Sequence, residues 1–214
     1  MRKIKKRILF IITLVLICSA GFYYDISQQQ LSQQEIKELR DIYPIYGKVV
    51  PDNLSMVTPQ LDEVANVMES FVYAEVVGEE IRYNKNISLG DPELDTKRAE
   101  KGLDGEYEFF EYTLRVITDT EGKYSEGEII TITSNEMFRG YKPELEDGMR
   151  IVVPVERENE GSTRHGYTVT GMYYVTEDGY ALSAFDENTA AMARTTYSGI
   201  KVENLLKELA ELKK

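Results

Sequence analysis

The feature that most restricts this chain is a period of two. Residues 107–119, YEFFEYTLRVITD, put Phe110, Tyr112, Leu114 and Val116 on one side of an extended chain. Glu111, Thr113 and Arg115 fall on the other. Strand side chains alternate between faces, so such a run is stable with one face in a core and one in water. The pattern recurs. FVYAEVVGEEIRYN, from Phe71, predicts a first strand, EIITIT (128–133) a third, and RIVVPVER (150–157) a fourth with Ile151, Val153 and Val155 on one face. YTVTGMYYVT (167–176) and YALSAF (180–185) predict a hairpin across Glu177-Asp178-Gly179, because Asp-Gly is a strong turn signal. Gly171 inside that run predicts a bulge or sharp bend, which closed sheets need. Pro154 cannot donate to a ladder, so the fourth strand is expected at an edge or bulged there.

Helical spacing flanks the strands. Thr58-Pro59 reads as a cap and first helical residue, followed by Leu61, Val64, Ala65, Met68 and Phe71, with the helix ending near Ser70. At the other end Val202, Leu205, Leu206, Leu209 and Leu212 form an apolar stripe in KVENLLKELAELKK, expected to dock on the strands. Lys213 and Lys214 suit the negative end of that helix. Between the first two strands, Lys85 to Glu106 reads as one long loop, and loops of that length are usually functional or mobile.

The beginning of the chain sets the expected compartment. Arg2, Lys3, Lys5, Lys6 and Arg7 precede an uncharged run from Ile8 to Tyr24. That order is an export signal that keeps the N-terminus inside. Such a run spans about 25 Å as a helix, against a bilayer core of about 30 Å. Phe22, Tyr23 and Tyr24 suit an interfacial aromatic belt, so a retained single-pass anchor with the domain extracytoplasmic is expected. The alternative is secretion after cleavage near Ala20, with Cys18 and Ala20 as the small residues before the cut. Lipid attachment at Cys18 is disfavoured by Ile17. Three regions follow: 1–24 as signal peptide or anchor, 25–57 as a polar stalk or linker with a weak stripe of Ile26, Leu31, Ile36 and Leu39, and 58–214 as the folded domain.

Charge and residue usage narrow the chemistry. Five of the 25 basic residues sit in the first seven positions, leaving twenty against 37 acidic residues. Such a domain repels phosphate backbones, so no nucleic-acid partner is expected. Cys18 is the one cysteine, which removes intrachain disulfides and sortase-type chemistry. His165, the one histidine, lies in STRHGY and reads as a solvated turn residue, so neither a metal nor another cofactor is expected. No G-x-S-x-G elbow accompanies it. NLSMVTPQL (53–61) has a signal-peptidase flavour but is better explained by the helix start at Thr58-Pro59. Asp91, Glu93 and Asp95 alternate as calcium ligands do, yet the EF-hand glycine and final glutamate are missing. The compositional excess is tyrosine, 15 against 7 phenylalanines and no tryptophan. Tyr167, Tyr173, Tyr174 and Tyr180 are the candidate ligand-binding residues, with packing in a barrel wall as the competing explanation.

The runs LDEVANVMESFVYAEVVGE, EYTLRVITDTEGKYSEGEIITIT, LEDGMRIVVPV and YYVTEDGYALSAF together resemble uncharacterised exported OB-like β-barrel proteins of Gram-positive cell surfaces. The resemblance covers roughly residues 58–212 and consists of strands and turns. It implies a mainly β fold, a five-stranded OB-like Greek-key barrel with a preceding helix and a C-terminal amphipathic helix, behind the membrane segment. It carries no functional residue. The expected function is a non-enzymatic binding or interaction module of the envelope, contacting a protein or a wall glycan through the last-hairpin tyrosines or the 85–106 loop. One alternative is a carboxylate hydrolase of envelope glycans, which needs two acidic groups at about 5–9 Å in one cleft. Another is a structural subunit with an exposed apolar patch.

Overall fold

The computed structural model describes residues 30–47, 59–88, 90–102, 105–185 and 197–213. The apolar run 8–24 and the expected cap Thr58 lie outside the described residues.

Five strands close on themselves. β1 (Ser70–Val76) pairs antiparallel with β3 (Glu106–Asp119) and with β5 (Arg150–Arg157). β3 pairs antiparallel with β4 (Ile129–Asn135), β4 runs parallel to β6 (Arg164–Tyr167), and β6 returns antiparallel to β5. Closure leaves these strands no free edge over their paired lengths. The expected alternation fills the interior: Phe110, Tyr112, Leu114 and Val116 are buried, as are Ile130, Ile132, Ile151, Val153 and Val155. β7 (Tyr173–Val175) joins β5, and β8 (Ala181–Ser183) joins β7 across the Asp178-Gly179 turn.

Helices cover the strands that would otherwise show an apolar outer face. β1 and β5 are buried on both faces, with α2 (Leu61–Val67) against β5 and α4 (Val202–Leu212) against β1 and α2. Leu205 and Leu209 of α4 are fully enclosed, which at about 1.5–3 kcal/mol per side chain holds the helix in place. Lys213 Nζ donates to Met68 O at 2.9 Å and Glu69 O at 2.6 Å, fastening its end to the α2–β1 joint.

Several expectations are corrected. α2 begins at Leu61 rather than Pro59, with Glu63 accepting from Gln60 N at 2.8 Å. The first strand is two. β1 stops at Val76, Gly78 turns the chain at φ +79°, and β2 (Ile81–Asn86) pairs with the far half of β3, Ile81 opposite Glu111. β3 is long enough to serve β1 near its end and β2 near its start. The 85–106 loop contains α3 (Pro92–Glu100), capped by Asp91, whose Oδ1 accepts from Glu93 N at 2.8 Å. Pro154 sits in the ring, not at its edge. It faces Phe71 on one side; on the other, β5 changes neighbour from β7 at Val152 to β6 at Val155, so no ladder partner is missed.

The expected strand 167–176 also divides, because Gly171 takes φ +82° between β6 and β7. His165 is not in a solvated turn. It lies in β6 opposite Ile132 and Arg157, 1% exposed, since parallel pairing with β4 turns its ring inward.

Part of the expected stalk belongs to the globule. Around α1 (Gln33–Leu39), Leu31 N donates to Gly199 O, Arg40 Nη1 to Ser183 O and Tyr46 N to Ala184 O, each at 2.8 Å. The Tyr43 ring lies 5.5 Å from that of Tyr174. Backbone ladders and ring packing fix these residues against β7 and β8.

Candidate functional site

Two polar constellations stand on this frame. The first is the outward face of β2, β3, β4 and β6. Register places Tyr83 opposite Phe109, Ile81 and Thr133 on either side of Glu111, and Arg164 opposite Thr131. These residues alternate along their strands with core residues such as Phe110, Tyr112 and Ile132, so they point away from the core, and Glu111 and Thr133 are nonetheless buried on that side. The Tyr83 ring stacks on Phe109 at 5.7 Å, and its hydroxyl meets Thr133 Oγ1 at 2.8 Å. Tyr83 therefore lies across β3 and reaches β4. The Arg164 guanidinium sits 4.8 Å from the Tyr83 ring and donates through Nε to Glu111 Oε2 at 3.0 Å. Lys85 Nζ lies 5.8 Å from the Phe109 ring and 3.4 Å from Glu158, joining the segment after β1 to the loop after β5. Arg164 and Lys85 remain nearly half exposed, and the Glu111 partner keeps the Arg164 guanidinium firmly charged. The face thus offers half-buried aromatic surface and two partly exposed cations, each paired with a carboxylate, of which Glu111 is buried.

The second constellation closes one end of the barrel. Glu80, in the turn before β2, accepts from Tyr112 Oη at 2.7 Å, Arg139 Nη2 at 2.8 Å and Arg82 Nε at 3.1 Å. Arg139 also binds Glu136 through Nε and, at 2.8 Å, through Nη2, and stacks 4.6 Å over Phe110. Burial pushes the Glu80 carboxyl up, but its bonds to Arg139, Tyr112 and Arg82 outweigh that and hold it below its ordinary value. Burial, then the bond to Glu80, holds the Tyr112 phenol well above its own. Beside them Lys142 Nζ donates to Tyr167 O at 2.6 Å and lies 3.8 Å over the Tyr167 ring.

The four tyrosines singled out in the sequence divide. Tyr167, Tyr173 and Tyr174 are buried, their rings part of the packed core, while Tyr180 keeps intermediate exposure under Lys201 Nζ at 3.7 Å. Burial raises the Tyr167 and Tyr174 phenols, so both stay protonated at any ordinary pH. Lys85, expected at the start of the 85–106 loop, is instead a β2 residue, and it lies on the outer face. Tyr83, Phe109, Glu111 and Arg164 were not picked out, although the phase of the β3 alternation already turned Phe109 and Glu111 outward.

Acidic groups are largely committed. Asp91 caps α3 and Asp95 pairs with Arg98 at 3.3 Å; among the described residues no cluster of three His, Cys, Asp or Glu is placed to hold a metal. Glu80 and Glu136 share Arg139, and Glu80 is held ionised. That is opposite to the raised acid a glycoside hydrolase requires. No protein-family model matches the chain, and comparison with curated proteins finds no match.

Proposed function

We propose that this chain is a non-enzymatic binding module of the cell envelope, an OB-like barrel outside the membrane that takes a wall glycan on the outward face of β2, β3, β4 and β6. The observation that carries this reading is the Tyr83 ring, spread over three strands between Phe109, Thr133 and Arg164. Sugar recognition needs apolar surface for ring C–H groups beside paired donors and acceptors for hydroxyls, and the face presents both. Its charges are balanced locally, which suits an uncharged ligand better than a polyanion. The ring order β1-β3-β4-β6-β5 with one parallel pair supports the OB-like description, and OB barrels bind oligosaccharides on their second and third strands, here β3 and β4.

The location rests on the basic start and the apolar run from Ile8 to Tyr24. Gln30 already bridges to Ile200 on the globule. The chain from Tyr24 to Gln30 reaches at most about 20 Å, so a retained anchor keeps the barrel at the membrane surface.

The test is titration of the full-length protein in detergent with soluble glycan fragments of the envelope, read by tyrosine emission because the chain has no tryptophan. Binding that falls roughly tenfold or more in Tyr83→Ala and in Arg164→Ala is expected. Absence of binding, or binding indifferent to both substitutions, overturns the proposal.

A further inference from the structure

Among the described strands, β2 is the one whose outer edge carries no backbone neighbour along its length. The barrel strands close on one another. The edge of β8 is covered by the segment before α4, with Ala181 N donating to Ile200 O at 2.8 Å and Gly199 N to Ala181 O at 2.7 Å. β2 pairs with β3 alone, and Ile81, Arg82, Asn84 and Lys85 are exposed. The phase of its ladder is fixed by Ile87 N, which donates to Gly105 O at 3.0 Å in the register of the strand. Bonded positions alternate in an antiparallel pair, so Ile81, Tyr83 and Lys85 turn their N–H and C=O groups to β3, while Arg82 and Asn84 turn theirs to the open side. Side chains follow the same alternation: Ile81, Tyr83, Lys85 and Ile87 share the outward face, and Arg82 and Asn84 the opposite one. Such an edge is a template for another strand.

We propose that this edge pairs antiparallel with β2 of a second copy of the chain, about a twofold axis at Asn84, so that the two outward faces join into one sheet. The strand is complementary to itself in that register. With Asn84 opposite Asn84 of the second copy, the open backbone positions meet and residues 81–87 overlap in full. Ile81, 50% exposed, then falls opposite Ile87, and Tyr83 opposite Lys85. Both are the closer, non-hydrogen-bonded kind of pair, where apolar contacts and a cation beside a ring are favourable. Sliding the copy one way sets Lys85 opposite Lys85, and sliding it the other way sets Ile81 opposite Lys85, so the centred register is preferred. Charged residues ordinarily blunt an edge, but here each cation already meets a carboxylate of its own chain: Arg82 Nε lies 3.1 Å from Glu80 and Lys85 Nζ 3.4 Å from Glu158. The strand therefore does not repel its copy, and an acidic peptide would find those cations taken. The pairing needs no ligand and stands apart from the glycan reading, yet it extends the aromatic face across both copies.

The test follows the full-length protein in density-matched detergent by sedimentation equilibrium from about 1 to 200 µM, because one short edge makes a small interface and a weak dimer. The mean mass should rise towards that of a dimer. Asn84→Pro removes an outward donor at an edge, where proline is tolerated, and should hold the chain monomeric with unchanged circular dichroism. Cross-linking decides independently, including where Asn84→Pro fails to fold. In a Cys18→Ser background, Asn84→Cys sets two thiols on a hydrogen-bonded pair with α-carbons about 5.5 Å apart, within disulfide reach. Under mild oxidation it should give a covalent dimer at least roughly tenfold faster than Asn66→Cys on the exposed side of α2. Arg82→Cys, whose mate lies about 13 Å along the paired strands, should cross-link no faster than Asn66→Cys. A monomer throughout, whether its edge stays open or takes an extended peptide of another protein, overturns the proposal. So does a dimer that Asn84→Pro leaves intact, or equal cross-linking at the three positions.

Discussion

The Tyr112 hydroxyl donates to Glu80 Oε2 across 2.7 Å, linking a core residue of β3 to the turn that separates β1 from β2. Arg139 closes the same carboxylate from the other side, with Nη1 3.2 Å and Nη2 2.8 Å away. One acidic side chain thus connects the barrel interior, the β2 hairpin and the 3-10 turn.

Removing the two partners of that bond should not cost the same. Tyr112→Phe deletes a hydroxyl and leaves Glu80 with its arginines, a loss of about 1 kcal/mol. Glu80→Ala leaves the Tyr112 hydroxyl buried without its acceptor and deprives Arg139 of a partner, a loss of about 2–3 kcal/mol. Urea unfolding monitored by circular dichroism measures both, and the double variant should lose less than the sum of the two.

Glu80 also gives acid sensitivity of known sign. Its carboxyl is held below the ordinary 4.5 in the folded chain, so the unfolded chain binds the proton more readily. The stabilisation is therefore complete above about pH 4.5 and disappears as pH falls through the lower folded value. The stability difference between the natural chain and Glu80→Gln should be constant from pH 7 to pH 5 and shrink below pH 4.

His165 titrates in a separate window. Burial lowers its pKa below the ordinary 6.5, with Arg157 adding to the effect against backbone acceptors at Thr131 and Thr163. The folded chain resists protonation, so this contribution is present above about pH 6.5 and lost as pH falls through the folded value. The chain has one histidine, so a single imidazole signal reports it. Proton magnetic resonance should give a midpoint below 6.5, and His165→Phe should remove the matching slope from the stability curve.

Gly171 is predicted to be intolerant of any side chain. A Cβ there would stand 2.8 Å from Leu61 Cδ1 and 2.9 Å from Phe71 Cε1, and its φ of +82° disfavours L-residues. Gly171→Ala should cost about 2–4 kcal/mol through backbone strain and overpacking together. Gly179→Ala at a similar φ, with nothing within 4 Å, should cost less. Comparison of the two melting temperatures separates the crowding from the strain.

Legibility in the sequence followed the range of the interaction. The inward set of β3 and the apolar stripe of α4 were readable because each is a local periodicity that meets one core. α3 was missed although Asp91-Pro92 is a good start signal, because the helix buries none of its described side chains and so lacks a stripe. His165 sat in a polar run and looked solvated; its burial comes from parallel pairing with β4, a partner that local pattern does not name. The outer face was hidden for the same reason, since Tyr83, Phe109 and Arg164 belong to three separate strands. Tyr173 and Tyr174 were noticed for their chemistry, yet both are enclosed once β7 lies between β5 and β8.

By itself the sequence determined that this chain would build strands of alternating character with helices at either end, because residue period and backbone geometry are matched within each segment. Tertiary structure alone decided which outward residues share a face, which polar groups are enclosed, and that residues 30–47 pack on the barrel. Those outcomes depend on ring closure and cross-strand register, which are set by contacts between segments far apart in the chain.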